Sequence, residues 1–241
     1  MSLREEGYWD EHYEEELKNF HELGDEGEVW FGLRLTKQIV DWLICRVESD
    51  GDTNSQHLGL LDIGCGNALL LCKFAEQSQV RNCFLVSKDF LLAGIDYSQA
   101  SIELAKGVVQ RRNLSDQIQL AQDNILEPTS DKLRKKYAYL VDKGTLDAIC
   151  LLAGESNDEL AKVKMRYMEA IYSVSKKGTI FIIASCNHTE EELMNLFKIE
   201  CSNRCKTELI DRIETPTIMF GGRQGSQVTC LVVRFTGEMT Q

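Results

Sequence analysis

The sequence predicts an α/β fold, an open and mostly parallel sheet with helices on both faces, closed by an antiparallel C-terminal hairpin. Three observations predict it. Strand-like apolar runs alternate with helix-period segments from Leu58 onward. A glycine-bearing turn joins the first of those strands to a helix, and two strand-like segments stand together near the C-terminal end.

Trp9, Tyr13, Leu17 and Phe20 recur at spacings of four, four and three, which gathers them on one helical face. The joint Gly24-Asp25-Glu26-Gly27 leads into Val29-Trp30-Phe31-Gly32. Leu35, Ile39, Leu43 and Val47 then mark a second helix, ended by the polar stretch 49–56. Leu58 to Ile63 is an expected strand, 68–76 a helix, Phe90 to Asp96 a strand and 100–112 a helix with Ser98 at its cap. Ile118 to Ala121 and Tyr137 to Asp142 add two strands, followed by a helix over 160–174 and a strand over 178–186. Thr189 to Glu192 has the form of a capping box that opens a short helix to Phe197. Thr207 to Ile213 and Gln227 to Phe235 are expected strands flanking the turn-rich Phe220-Gly221-Gly222-Arg223-Gln224-Gly225.

At 241 residues the chain can bury one sizeable core, and its organisation reads as an acidic N-terminal helical extension over 1–33 followed by one domain over 34–241. Residues 1–28 hold eleven acids against Arg4 and Lys18, a net −9 that leaves only −2 of the total −11 for the rest. Such an excess opposes a phosphate backbone and suits a basic protein partner, although Glu14, Glu15, Glu16 and Glu22 also fit the solvated side of a helix. The longest apolar runs are too short for a membrane span, and the acidic start resembles no targeting segment, so the expected compartment is the cytosol, with the nucleus also open. Cys72, Cys150, Cys186 and Cys230 lie singly in apolar stretches and read as reduced core residues. No metal is expected, since neither the cysteines nor the four histidines show ligand spacing.

The strongest chemical signal is Leu60-Leu61-Asp62-Ile63-Gly64-Cys65-Gly66-Asn67, where a buried strand turns into a helix. Glycines at 64 and 66 let the backbone bend and approach a ligand closely. A dinucleotide fold wants a third glycine at 69, which is Leu, so the ligand expected is one without a pyrophosphate. Asp96, followed by Tyr97, ends the next strand and suits both hydroxyls of a ribose. Asp123-Asn124, after the third strand, is placed to read an adenine edge through a carboxylate and a backbone amide.

These residues resemble the glycine motif, ribose acid and adenine acid of the class I methyltransferases, whose fold is a Rossmann-like seven-stranded sheet with strand seven antiparallel. Val141-Asp142-Lys143-Gly144-Thr145-Leu146-Asp147 is similar to a segment of a protein-lysine branch. Tyr8-Trp9, Tyr13 and Leu17, then Gly27 to Gly32, Ser185-Cys186-Asn187-His188-Thr189 and Phe220-Gly221-Gly222-Arg223 resemble, in order, the family that methylates a lysine of translation elongation factor 1-alpha. The chain departs from that pattern in an apparent insertion over 79–89 and in its stronger N-terminal acidity. The resemblance implies S-adenosyl-L-methionine as methyl donor and elongation factor 1-alpha as protein partner, with no nucleic acid and no membrane. It implies cofactor contacts from Asp62, Gly64, Cys65, Gly66, Asp96, Tyr97, Asp123 and Asn124.

Methyl transfer to an amine needs alignment and a deprotonated acceptor, which an apolar, aromatic-rimmed channel favours by desolvating the ammonium. Trp9, Tyr13, Trp30 and Phe31 are the candidates for that rim, with core packing as the competing role. Asp142 is the acid expected nearest the reacting amine, its competing roles being a helix cap or a partner for Lys143. Asn187 is a candidate for holding substrate backbone. Two other functions stand beside this one, a methyltransferase for a small molecule or nucleic acid and a non-catalytic binding module on the same fold.

Overall fold

The computed structural model describes residues 7–50, 59–80, 90–154, 156–200, 206–215, 217–220, 223–226 and 228–237. The N-terminal part forms α1 (Tyr8–Leu23), α2 (Gly32–Asp50), β1 (Gly59–Ile63), α3 (Leu69–Val80), β2 (Leu91–Asp96), α4 (Gln99–Arg111) and β3 (Ile118–Gln122). Then follow β4 (Tyr137–Lys143), α5 (Thr145–Leu152), α6 (Asn157–Val174), β5 (Ser175–Ser185), α7 (Glu190–Glu200), β6 (Thr207–Arg212), β7 (Thr217–Phe220), β8 (Arg223–Ser226) and β9 (Thr229–Phe235).

Seven strands form one sheet in the order β3-β2-β1-β4-β5-β9-β6. The pairs from β3 through β5 are parallel, while β9 runs antiparallel to both β5 and β6. Successive strand residues serve opposite faces because the side-chain period is two. Leu60, Leu92, Val141 and Ile182 pack with α2, α3 and α4, whereas Leu61, Ala93, Leu140 and Phe181 pack with α6 and α7. Both faces are therefore covered, which explains why β1 is buried along its whole length and is apolar except for Asp62.

Local chemistry sets the element starts. Ser98 caps α4 by accepting from the Ser101 backbone N–H. Thr189 and Glu192 form the reciprocal box at α7, with Thr189 N–H donating to Glu192 Oε2 at 2.7 Å and Glu192 N–H to Thr189 Oγ1 at 3.3 Å. The strand order reverses between β1 and β4, with β2 and β3 laid down on one side of β1 and β4 and β5 on the other, and ligands in open α/β sheets bind outside the carboxyl ends of the strands at such a point.

Three features differ from the sequence expectation. Helix α5 follows β4 at once; its segment Thr145–Leu152 is too uniformly apolar to show a helical period. The turn-rich stretch before β9 carries a separate two-stranded sheet, β7 paired antiparallel with β8. Cys72 and Cys230 are buried as expected, but Cys150 is only partly so and Cys186 is exposed, because β5 ends at Ser185 and leaves the next residue outside the sheet. Of the apparent insertion over 79–89, the first two residues complete α3 and the remainder lies outside the described residues.

Candidate functional site

At the carboxyl end of β1, the chain adopts left-handed backbone at Gly64 (φ 66°), Gly66 (φ 53°) and Ala68 (φ 57°). Such a conformation costs a residue with a Cβ about 1–2 kcal/mol, so the alternation uses glycine twice and tolerates one strained alanine. Cys65 N–H donates to Ile95 O at 2.9 Å and carries the β1–β2 pairing into the loop. The space freed at each glycine is filled from within the chain. A Cβ on Gly66 would lie 2.6 Å from the Tyr13 hydroxyl, and one on Gly64 would collide with Thr145 Oγ1. Gly64 thus lets the start of α5 close on β1, where Thr145 Oγ1 donates to Ile63 O at 2.6 Å, instead of simply clearing room for a ligand.

Asp96 ends β2 beside this loop. Its Oδ2 accepts from Gly66 N–H at 3.0 Å and its Oδ1 from Ser98 N–H at 3.1 Å, which leaves each oxygen with acceptor capacity to spare. Burial raises the Asp96 carboxyl above its usual range, and the hydrogen bonds from Ser98, Gly66 and Ser101 oppose that rise. Tyr97 follows and is 38% exposed, so its ring stands at the rim. Asp123 is buried, and its oxygens accept from Thr129 N–H at 2.9 Å, Thr129 Oγ1 at 3.2 Å and Ser130 N–H at 2.8 Å. Those bonds outweigh burial and hold its carboxyl below the usual range, so Asp123 closes its own loop while Asn124 stands exposed beside it. Asp62 lies beneath the loop, pushed up to about 7 by burial, with the charge of Lys143 opposing and those of Asp142 and Asp96 adding. Burial likewise keeps the Cys65 thiol protonated.

The end of β4 carries the remaining candidate acid. Asp142 has no exposed surface, and its oxygens accept from Thr145 N–H at 2.8 Å, Leu146 N–H at 3.0 Å and the Tyr167 hydroxyl at 2.5 Å. This placement makes Asp142 the cap of α5: its oxygens satisfy the first donors of that helix and have no exposed surface. Burial pushes its carboxyl up to about 7 against the lowering effect of the Tyr167 and backbone donors. Lys143 Nζ donates to Trp30 O at 3.0 Å, and Gly144 (φ 98°) donates its N–H to Ala184 O at 3.0 Å.

Four aromatic residues join the two strand ends. Tyr13 rests on Gly66, its ring centre 6.2 Å from that of Trp9, and Trp9 meets Trp30 edge to face at 5.1 Å. Trp30 rests on Gly144, whose Cβ would lie 2.7 Å from Trp30 Cδ1, and Phe31 lies beside it. The Trp9 indole N–H is buried and has no acceptor among the described residues. A donor of that kind at a site mouth, with a bent glycine loop and a strand-end acid, fits a nucleoside bearing a carboxylate. Burial, with Asp96 and Cys65 nearby, raises the Tyr13 hydroxyl well above its ordinary value and keeps it neutral.

Helix α1 reaches this position because it docks on α4. Phe20 packs on Gly107, where a Cβ would come within 2.6 Å of the ring, and the Arg111 guanidinium lies 4.3 Å above that ring. The following strap is fastened by Asn67 Nδ2, donating to Glu26 O and Glu28 O, and by Arg112, paired with Glu26 and Glu76. Glu16 accepts from Glu28 N–H at 3.0 Å. Sequence reading missed these fasteners, although a glycine in the middle of a helix signals close approach.

Asn187 is exposed just beyond β5. Beneath it, Asp147 accepts from Ser185 Oγ at 2.5 Å and from Cys186 N–H at 2.7 Å, and lies 3.2 Å from His188 Nδ1. Ser185 Oγ in turn accepts from the N–H groups of Asn187 and His188, so this cluster shapes the loop that presents Asn187. Among the described residues, no group of three potential ligands is arranged for a metal ion.

The sheet order, the glycine loop and the strand-end acid define a methyltransferase domain, and the family model of that description matches residues 54–229. The fold also resembles the crystal structure of magnesium protoporphyrin IX methyltransferase from Synechocystis PCC 6803 with bound SAM, with a TM-score of 0.54 and 15% identity over 94% of this chain and 97% of that one. That likeness concerns the fold alone. Protein-lysine N-methyltransferase efm4 of Schizosaccharomyces pombe is 34% identical over 228 residues, covering 93% of this chain and 90% of the relative. EEF1A lysine methyltransferase 2 of Homo sapiens is 33% identical over 226 residues, covering 93% and 83%. The chain belongs to the methyltransferase family that these two proteins represent.

Proposed function

We propose that this methyltransferase transfers a methyl group from S-adenosyl-L-methionine to a lysine of translation elongation factor 1-alpha. The observation that carries the reading is the aromatic wall from Gly66 to Gly144, which joins the glycine loop to the end of β4. The named activity of relatives aligned along more than nine-tenths of the chain supports it.

The cofactor supplies a methyl group already activated on a sulfonium. The chain's own residues position it: Asp96 retains acceptor capacity for ribose hydroxyls, and the Trp9 indole offers its N–H to the carboxylate. Trp9, Trp30 and Phe31 provide an apolar surface where a lysine ammonium is disfavoured, so the acceptor arrives as the neutral amine. Asp142 acts through α5, fixing the turn that carries Gly144, and Asn187 is exposed to hold substrate backbone. The compartment proposed with this reading is the cytosol, and the nucleus is a second one consistent with the sequence.

Incubating the protein with elongation factor 1-alpha and methyl-labelled S-adenosyl-L-methionine tests this. Label on a single lysine of the factor, located by peptide mass mapping, is the expected result. Label that is lost to nuclease, or found in a small molecule, would overturn it.

A further inference from the structure

The Lys143 side chain has a place in the structure that the methyl-transfer reading leaves unused. Its Nζ donates to the main-chain carbonyl of Trp30 at 3.0 Å, tying the segment before α2 to the last residue of β4. That segment is strained: Phe31 has φ 63°, a conformation rarely adopted by an aromatic residue, and Gly32 follows at φ 81°. Such backbone persists only when its surroundings hold it. Gly32 N–H to Val29 O at 2.7 Å closes the turn from inside, and Lys143 holds it from the sheet. Burial lowers the Lys143 amine, and the groups that oppose it are Asp62 near the end of β1, Asp142 on β4 and Cys65 in the glycine loop.

We propose that Lys143 is a positioning residue for methyl transfer: by anchoring the Trp30 carbonyl it holds the Trp30 and Phe31 rings against Gly144, where they form the wall of the acceptor channel. The inference rests on the lysine-methylation reading and assigns a role to a residue beside the chemistry. Lys143 touches neither cofactor nor acceptor in this account. It acts through Trp30.

Two measurements test it. Lys143→Met should lower turnover on the protein target about 10- to 100-fold, the scale of loss when a reacting group is misplaced by an ångström or so. In a Trp30→Ala, Phe31→Ala background the same substitution should cost almost nothing, because both rings it positions are gone. Losses that multiply when Lys143→Met is added to that background, or a Lys143→Met enzyme as fast as wild type, would overturn the proposal. Acrylamide quenching of Trp30 fluorescence, with Trp9 and Trp42 replaced by Phe, reads the ring without any substrate; Lys143→Met should raise it, and unchanged quenching sinks the idea whatever the activity. That readout also separates this inference from the functional reading, which fails instead if wild-type protein leaves the factor unmethylated. Should Lys143→Met not fold, Gly144→Ala displaces the same ring, since its Cβ would lie 2.7 Å from Trp30 Cδ1. Full turnover by that variant would overturn the proposal.

Discussion

Replacing Asp142 by Asn and by Ala distinguishes a cap from a proton relay. The Ala variant strips the acceptor from Thr145 N–H, Leu146 N–H and the Tyr167 hydroxyl together. Loss of a helix cap costs about 0.5–2 kcal/mol. A buried hydroxyl left without a partner adds about 1–3 kcal/mol, so Asp142→Ala should lose roughly 1.5–5 kcal/mol. Asparagine keeps one oxygen for the α5 donors, and the Tyr167 hydroxyl can turn to accept from its amide. Asp142→Asn should therefore cost no more than about 1–2 kcal/mol, within the range of a single altered hydrogen bond. Turnover should follow the same order, with the Asn variant within about tenfold of wild type and the Ala variant much slower, since a shifted α5 misplaces Gly144 and its wall. Thermal melts and kcat/KM on the protein target give both quantities. An Asn variant that melts like wild type yet loses turnover by about a thousandfold, the scale of an absent general base, would refute the cap account.

The other predictions are shorter. Asp96→Ala should weaken S-adenosyl-L-methionine binding by about 1.5–3 kcal/mol in calorimetry, the value of hydrogen bonds to a charged group, and unchanged affinity would move the ribose elsewhere. Asp62 and Asp142 titrate near 7 in the fold but near 4 when unfolded, so the folded chain binds more protons between those values. Stability from these two groups should therefore fall as pH rises from about 4 to 7 and level off above, and Asp142→Asn should flatten the slope measured by denaturant titration. Gly107→Leu should expose the segment between α1 and α2 to protease while the sheet melts as before, because the new side chain enters the space of the Phe20 ring. Neutralising Glu11, Glu14 and Glu15 together should lower kcat/KM for a basic protein target and reduce its salt dependence without altering cofactor affinity. An unchanged salt dependence would mean those acids only solvate the helix.

The sequence made legible what is local and periodic. Ser98, the Thr189–Glu192 box and the glycine loop each announce themselves within a few residues, and the alternation of strands and helices follows from burial on both faces of the sheet. Tertiary reach was not legible. Nothing near Gly64 in the chain says that Thr145 fills its missing side chain, and nothing near Gly66 says that Tyr13 does. In the sequence Asp142 reads equally as cap or as chemistry because Thr145–Leu152 shows no helical period, and a strand-end acid reads differently once a helix begins three residues later with its N–H groups aimed at it. The aromatic residues of α1 were readable as one face, but whether that face met the core or the site depended on Phe20 finding Gly107.

That docking also divides the acidity of α1 and the strap after it between two jobs. Glu16 accepts the Glu28 N–H and Glu26 pairs with Arg112, so both are spent on the strap that sets the angle of the helix across the glycine loop. Glu11, Glu14, Glu15 and Glu22 stay exposed, while burial raises the hydroxyl of Tyr97 and the carboxyl of Asp96 and the charge of Asp10 adds to both. Removing Glu16 would therefore disturb the fit of Tyr13 on Gly66 as well as the field outside, and could not separate steering from catalysis. The exposed acids can be removed without touching a hydrogen bond of the strap. A protein that orients a basic partner needs its field on the surface that partner meets, and α1 carries both the exposed acids and two of the rings proposed to receive the lysine, Trp9 and Tyr13. A salt dependence carried by Glu11, Glu14 and Glu15 would join steering to positioning in one helix, with those acids exposed and Trp9 and Tyr13 packed against Trp30 and Gly66.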